Sequence, residues 1–197
     1  MMTLKSPASN AAIAALVAMV LALALFRVLR AVLLPDFPNF FPVVAMAFCG
    51  GLFLPRTLGW ILPSAVIVLS DLALSFYLGY PLLDSGQLVA WACLLISLGV
   101  GHSIADRKAI KVSILFVILT GNALIFYLAT NTMAWVSMPA YSRDAWGLIQ
   151  ALTTGLPGNP PTWVFFRNSL ISDYIFFGVI LLVFQIVCRS SPRPVTA

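Results

Sequence analysis

Apolar residues run along the chain in six blocks, at about 11–34, 42–54, 58–79, 87–105, 110–130 and 163–187, separated by polar or proline-bearing breaks. Most reach the roughly 20 residues that an α-helix needs to cross a bilayer core. The second block is short and carries Gly50 and Gly51. It reads as a thin, tilted span rather than a re-entrant hairpin, because six crossings keep the charge pattern consistent. The pattern therefore predicts an all-α polytopic membrane protein: one domain over residues 1–197, six transmembrane helices and a long outer loop at 131–162.

Orientation follows from where the cations fall. With six crossings, one side holds Lys5, Arg56, Arg107, Lys108, Lys111, Arg189 and Arg193, and the other holds Asp36, Asp84, Arg143 and Asp144. An excess of Lys and Arg marks the cytoplasmic side, so both termini are expected there. Lys5 followed by an apolar run and Ala22-Leu23-Ala24 also fits a cleaved secretory signal. The apolar character continues to Leu34, which favours a retained helix. On the outer side the connections at 35–41, 80–86 and 131–162 are rich in Pro, Gly, Asn and aromatic residues. Trp135, Tyr141 and Trp146 in the last of these read either as a lid or as an interfacial aromatic belt.

Composition sharpens this reading. Hydrophobic residues make up 61% of the chain and charged ones 9%, with a mean hydropathy of +1.03; soluble domains carry about 25% charged residues. A water-soluble domain is excluded. The net charge of +5 lies at the ends of apolar runs instead of forming the basic stripe that nucleic-acid binding needs. Cys49, Cys93 and Cys188 follow neither zinc nor CxxC spacing; they read as small buried hydrophobes. No metal and no cofactor is expected, and the lipid bilayer is the expected surrounding.

Polar residues inside the spans carry the functional information, since a charge near mid-bilayer costs at least about 2.5–3.5 kcal/mol on insertion scales. Ser64, Asp71 and Ser75 fall on one face of the third span, and Ser113, Thr120, Tyr127 and Asn131 on one face of the fifth. At about 1.5 Å of rise per residue, Arg27, Asp71, Asn122 and Asp173 lie near one level. Arg27 is expected to pair with Asp71 or Asp173, because a lone buried charge is intolerable. Leu69-Ser70-Asp71-Leu72 has a faint echo in Ile171-Ser172-Asp173-Tyr174, the kind of internal repeat seen in transporters. Arg30 and Arg167, nearer the outer surface, are expected to snorkel. His102, with Asp106 four residues on, supplies neither a metal cluster nor a nucleophile and base pair, so the chain is not expected to be an enzyme. Ala14, Ala18 and Ala22 repeat every four residues and make the first span smooth enough for a close helix neighbour.

Pro38-Asn39-Phe40-Phe41-Pro42, Gly50-Gly51, Leu62-Pro63, Leu69-Ser70-Asp71-Leu72, Gly79-Tyr80-Pro81, Thr130-Asn131 with Trp135, and Gly155-Leu156-Pro157 resemble a family of small bacterial integral-membrane proteins of uncharacterised function. That family is in turn similar to the substrate-binding S components of energy-coupling-factor (ECF) vitamin transporters. The resemblance implies a six-helix S-component-like bundle in the bacterial inner membrane, with cytoplasmic termini and an outward pocket closed by loops. It also implies a coupling subunit meeting the first helix at Ala14, Ala18 and Ala22. Related cobalamin transporters place a cobalt-ligating cysteine in the loop after the third helix; Gly79-Tyr80-Pro81 here has none. The function expected is capture and uptake of a small solute. Asn39, Phe40, Tyr80, Tyr127, Asn131 and Trp135 would provide ligand contacts, and Asp71 with Asn122 a polar floor. The alternatives are a structural or assembly membrane protein without a ligand, and an intramembrane enzyme on lipid-linked substrates with Asp71 and Asp173 as its acid pair.

Overall fold

The computed structural model describes residues 10–33, 39–79, 81, 83–107 and 109–190, with backbone only at residues 11–12 and 188–190. Tyr80 and the Cys188 side chain lie outside the described residues. Seven helices form among them: α1 (Asn10–Leu33), α2 (Val43–Phe53), α3 (Arg56–Leu78), α4 (Ser85–Ala105), α5 (Val112–Ser137), α6 (Ala145–Leu152) and α7 (Thr162–Ser190). Five of these, α1, α3, α4, α5 and α7, are long and apolar enough to cross a membrane. Within each apolar window only 22–33% of the residues are buried, so most of every long helix presents Leu, Ile, Val and Phe outward. In a soluble protein that surface would aggregate; in a bilayer it is the required coat.

The second apolar block forms a helix shorter than the other five, so five long helices, not six, have the length of a span among the described residues. α2 has 11 residues, about 16 Å of helix, roughly half the hydrocarbon thickness. Every residue of α2 is buried, and it touches each of the five long helices. Its packing depends on glycine. A Cβ on Gly51 would meet the Leu98 carbonyl of α4, and one on Gly101 the Phe48 carbonyl of α2, both closer than 3.0 Å. α2 and α4 therefore meet backbone to backbone. On the α3 side Gly50 lies against Pro63 and Gly59. Along α7 the contacts advance together: Ala45 with Asp173, Phe48 with Phe177 and Phe53 with Phe184. α2 thus runs parallel to the second half of α7.

The stretch expected as an outer loop at 131–162 is corrected. α5 continues to Ser137, and α6 occupies Ala145–Leu152. Thr130 donates to the Phe126 carbonyl and Asn131 to the Tyr127 carbonyl, at 2.8 Å each. These side chains satisfy themselves against their own helix and so do not end it. Asp144 starts α6 as its N-cap, accepting from Gly147 N at 2.8 Å.

Candidate functional site

Two polar places stand out within this bundle, and they are built differently. The first joins α1, α3 and α4. Asp71, 6% exposed, accepts from the Arg27 guanidinium at Oδ1. Its Oδ2 accepts from Gln87 Nε2 at 2.8 Å and from Trp91 Nε1 at 2.6 Å. Gln87 and Trp91 are four residues apart and so share a face of α4. Asp84, the N-cap, accepts from Gln87 N at 2.7 Å and sets that first turn. Arg27 also donates to Ser70 Oγ, which donates to the Ile67 carbonyl at 2.9 Å. The Arg27 guanidinium lies 5.1 Å from the Phe41 ring centroid, within cation–π range. The carboxylate is fully engaged and buried, an arrangement suited to locking three helices together.

The second place is a cavity of about 380 Å³, within the usual range for small-molecule sites. Tyr127, Thr130 and Asn131 face it from α5, and Thr162, Phe166 and Ser169 from α7. Asn39 reaches it from the turn before α2, and Tyr141, Gly155 and Asn159 from the α6 segment. None of its lining residues carries a formal charge. Asn39 adopts φ 53°, a left-handed conformation that Asn tolerates better than most residues. The covering segment is tied down at several points. Tyr127 donates through its hydroxyl to the Leu152 carbonyl, the Arg143 guanidinium donates to the Trp135 carbonyl, and Trp135 Nε1 donates to the Ser142 carbonyl at 2.8 Å. Gln150 Nε2 donates to the Gly155 carbonyl at 2.9 Å. Burial raises the affinity of the Tyr141 hydroxyl for its proton, so it faces the cavity as a neutral donor and acceptor.

The residues singled out from the sequence divide between these places. Asn39, Tyr127 and Asn131 line the cavity. Trp135 lies outside the lining and braces the covering segment, while Phe40 is half-buried beside Phe41. Asp71 and Arg27 lie in the α1–α3–α4 network. Asn122 is buried with its Nδ2 unpartnered and shares no hydrogen bond with Asp71 among the described residues. Asp173, 0% exposed, accepts from Ala45 N at 2.9 Å and caps the first turn of α2, where Pro42 offers no side-chain cap. Asp71 and Asp173 thus serve different elements. Ala14, Ala18 and Ala22 are exposed on α1. His102 packs on Trp60, with ring centroids 5.2 Å apart. Cys49 and Cys93 are buried free thiols, and no cluster of three metal-ligating residues occurs among the described residues.

Sequence reasoning missed Gln87 and Trp91 as partners of Asp71; their i, i+4 spacing at the start of a span was the available signal. It also missed Thr162 and Ser169, whose small hydroxyls gave none. No curated protein and no solved structure matches this chain. A family profile, described as a family of unknown function (DUF6580), matches residues 7–194. Since that match covers nearly the whole sequence, the chain, with its five helices long and apolar enough to cross a membrane, belongs to DUF6580, a family of unknown function.

Proposed function

We propose that this protein binds a small, uncharged solute within the membrane and takes part in its uptake, in the manner of an ECF S component. The observation that carries this reading is the 380 Å³ cavity between α5 and α7, roofed by the α6 segment. Its hydroxyl and amide groups are set among Phe126, Phe165 and Phe166, a mixture of apolar walls with few directional groups that suits a neutral, partly aromatic ligand. A charged ligand would be left without a counter-ion there. The exposed Ala14, Ala18 and Ala22 face supports docking of a coupling helix, since small residues allow close helix approach in lipid. The cation pattern supports cytoplasmic termini and a cavity that opens outward.

Native mass spectrometry of protein released from membranes tests the reading. A small-molecule adduct is expected on the wild type and its loss is expected in Ser169→Phe, which fills the cavity from α7. A wild type without adduct, and melting that ignores the Ser169→Phe change, would favour the second reading, a structural membrane protein without a ligand. That alternative draws on the Asp71 network, which joins three helices with no carboxylate oxygen left unused.

A further inference from the structure

Arg30 stands one turn beyond Arg27 in the last turn of α1 and is 7% exposed. Its Nε and Nη2 are buried, and no described residue accepts a hydrogen bond from either. These two nitrogens form one edge of the guanidinium, with N–H bonds aimed in parallel, the edge that takes two oxygens of a carboxylate or phosphate at once. Arginine stays protonated in proteins, so this side chain cannot escape burial by losing its charge. Its neighbours do not neutralise it. Phe41 is shared: the Arg30 guanidinium lies 5.8 Å and that of Arg27 5.1 Å from the same ring centroid. Asp71 is already occupied by Arg27 at one oxygen and by Gln87 and Trp91 at the other. Arg27 itself has a buried, unpartnered Nε. Two guanidinium groups thus share one ring, only Arg27 meets a carboxylate, and the charge of Arg30 is left buried without a counter-ion among the described residues. A buried charge needs a hydrogen-bonded partner.

We propose that the Nε and Nη2 edge of Arg30, beside Arg27 and Phe41, binds a phosphate-type oxyanion at the end of α1. The site is separate from the cavity, none of whose lining residues is an arginine. Two sources share this chemistry: the phosphate of an anionic lipid headgroup, and a free phosphate in solution.

The test uses the full-length protein in an uncharged detergent at constant ionic strength, with thermal melting as the readout. One arm adds inorganic phosphate in exchange for chloride; the other adds phosphatidylglycerol, with phosphatidylcholine as control. The expected result is a rise in midpoint of about 3 °C or more, lost in Arg30→Gln and kept in Arg107→Gln, an exposed arginine elsewhere. A rise with inorganic phosphate identifies a free anion as sufficient. A rise with phosphatidylglycerol alone identifies the lipid headgroup. Should Arg30→Gln fail to fold, Arg30→Lys decides: it keeps the charge but loses the paired donors, so a smaller rise than in the wild type is expected and an equal one overturns the proposal. No rise in either arm overturns it, as does a rise that persists in Arg30→Gln. A response that emerges only in Asp36→Asn also overturns it, by showing that the chain supplies its own carboxylate.

Discussion

Asp71 shows how a single acid is made tolerable inside an apolar bundle. Its two oxygens accept from Arg27 of α1 and from Gln87 and Trp91 of α4, so truncating it strands donors on two helices. Removing one member of a buried pair typically costs about 3–5 kcal/mol, whereas removing both members costs much less. Asp71→Leu is expected to lose stability in that range in an SDS or thermal unfolding titration, and Arg27→Met with Asp71→Leu to recover a large part of it. Strictly additive losses would mean the two side chains are not coupled. The contact between Arg27 and Asp71 was legible in the sequence, because helical rise and the cost of a lone charge leave few partners. Gln87 and Trp91 were less so, being neutral groups at the mouth of a span, where they read as a boundary. The role of Asp173 was not legible at all. Its partner is a backbone N–H of α2, and side-chain patterns carry no information on which peptide groups lack an acceptor.

At the scale of elements, the long helices were legible because lipid imposes a length and an apolar composition on them. α2 differs, since protein surrounds it and its glycines matter through what they touch. Gly51→Ala and Gly101→Ala each put a methyl group into the facing backbone. Each is expected to destabilise by about 1–3 kcal/mol or more, the range for overpacking, with loss of monodisperse protein in size-exclusion chromatography. Gly121→Ala on α5, with nothing within 4 Å of the added carbon, is expected to be neutral or to stabilise by up to about 1 kcal/mol through helix propensity. Equal behaviour of the three variants would contradict backbone contact between α2 and α4. α6 was hidden in the sequence because it is one short turn-capped segment among Pro and Gly residues. Its cap makes it pH-sensitive. The hydrogen bond from Gly147 N, and then that from Ser142 Oγ, hold the Asp144 carboxyl below its ordinary value of 3.8. A depressed folded-state pKa contributes stability that is fully present above the ordinary carboxylate value and is lost as the pH falls through the folded one. Hydrogen exchange over 145–152 is therefore expected to lose protection on acidification below about pH 4, once intrinsic rates are corrected. Asp144→Asn, which keeps an acceptor but does not titrate, is expected to remove that pH dependence.

The whole molecule turns on how many times the chain crosses, because five long helices put the two ends on opposite sides while a sixth crossing puts them on one. α2 alone is too short to settle this by length, but its direction bears on it. It advances along α7 from Asp173 to Phe184, toward the end of that helix. Its last residue, Phe53, and the following Leu54 line the same small cleft as Leu16 of α1. Near its beginning, Phe41 lies under Arg27 and Arg30, in the second half of α1. From Phe41 through α2 the chain therefore runs back beside α1, the course that a sixth crossing would take. The ends of a half-length helix at membrane depth need protein around them, and all 11 residues of α2 are buried. If α2 completes a crossing, the start of α1 and the end of α7 share one side and the cavity near the start of α7 faces the other, the orientation proposed above for solute capture. A fluorescent reporter that folds only in the cytoplasm is expected to give signal when fused before α1 and also when fused after α7. A phosphatase active only outside the cytoplasm is expected to work when inserted at 157–159. Cytoplasmic signal from one end alone would remove α2 as a crossing, and signal from the α1 end alone would also turn the cavity near the start of α7 toward the cytoplasm, against capture from outside.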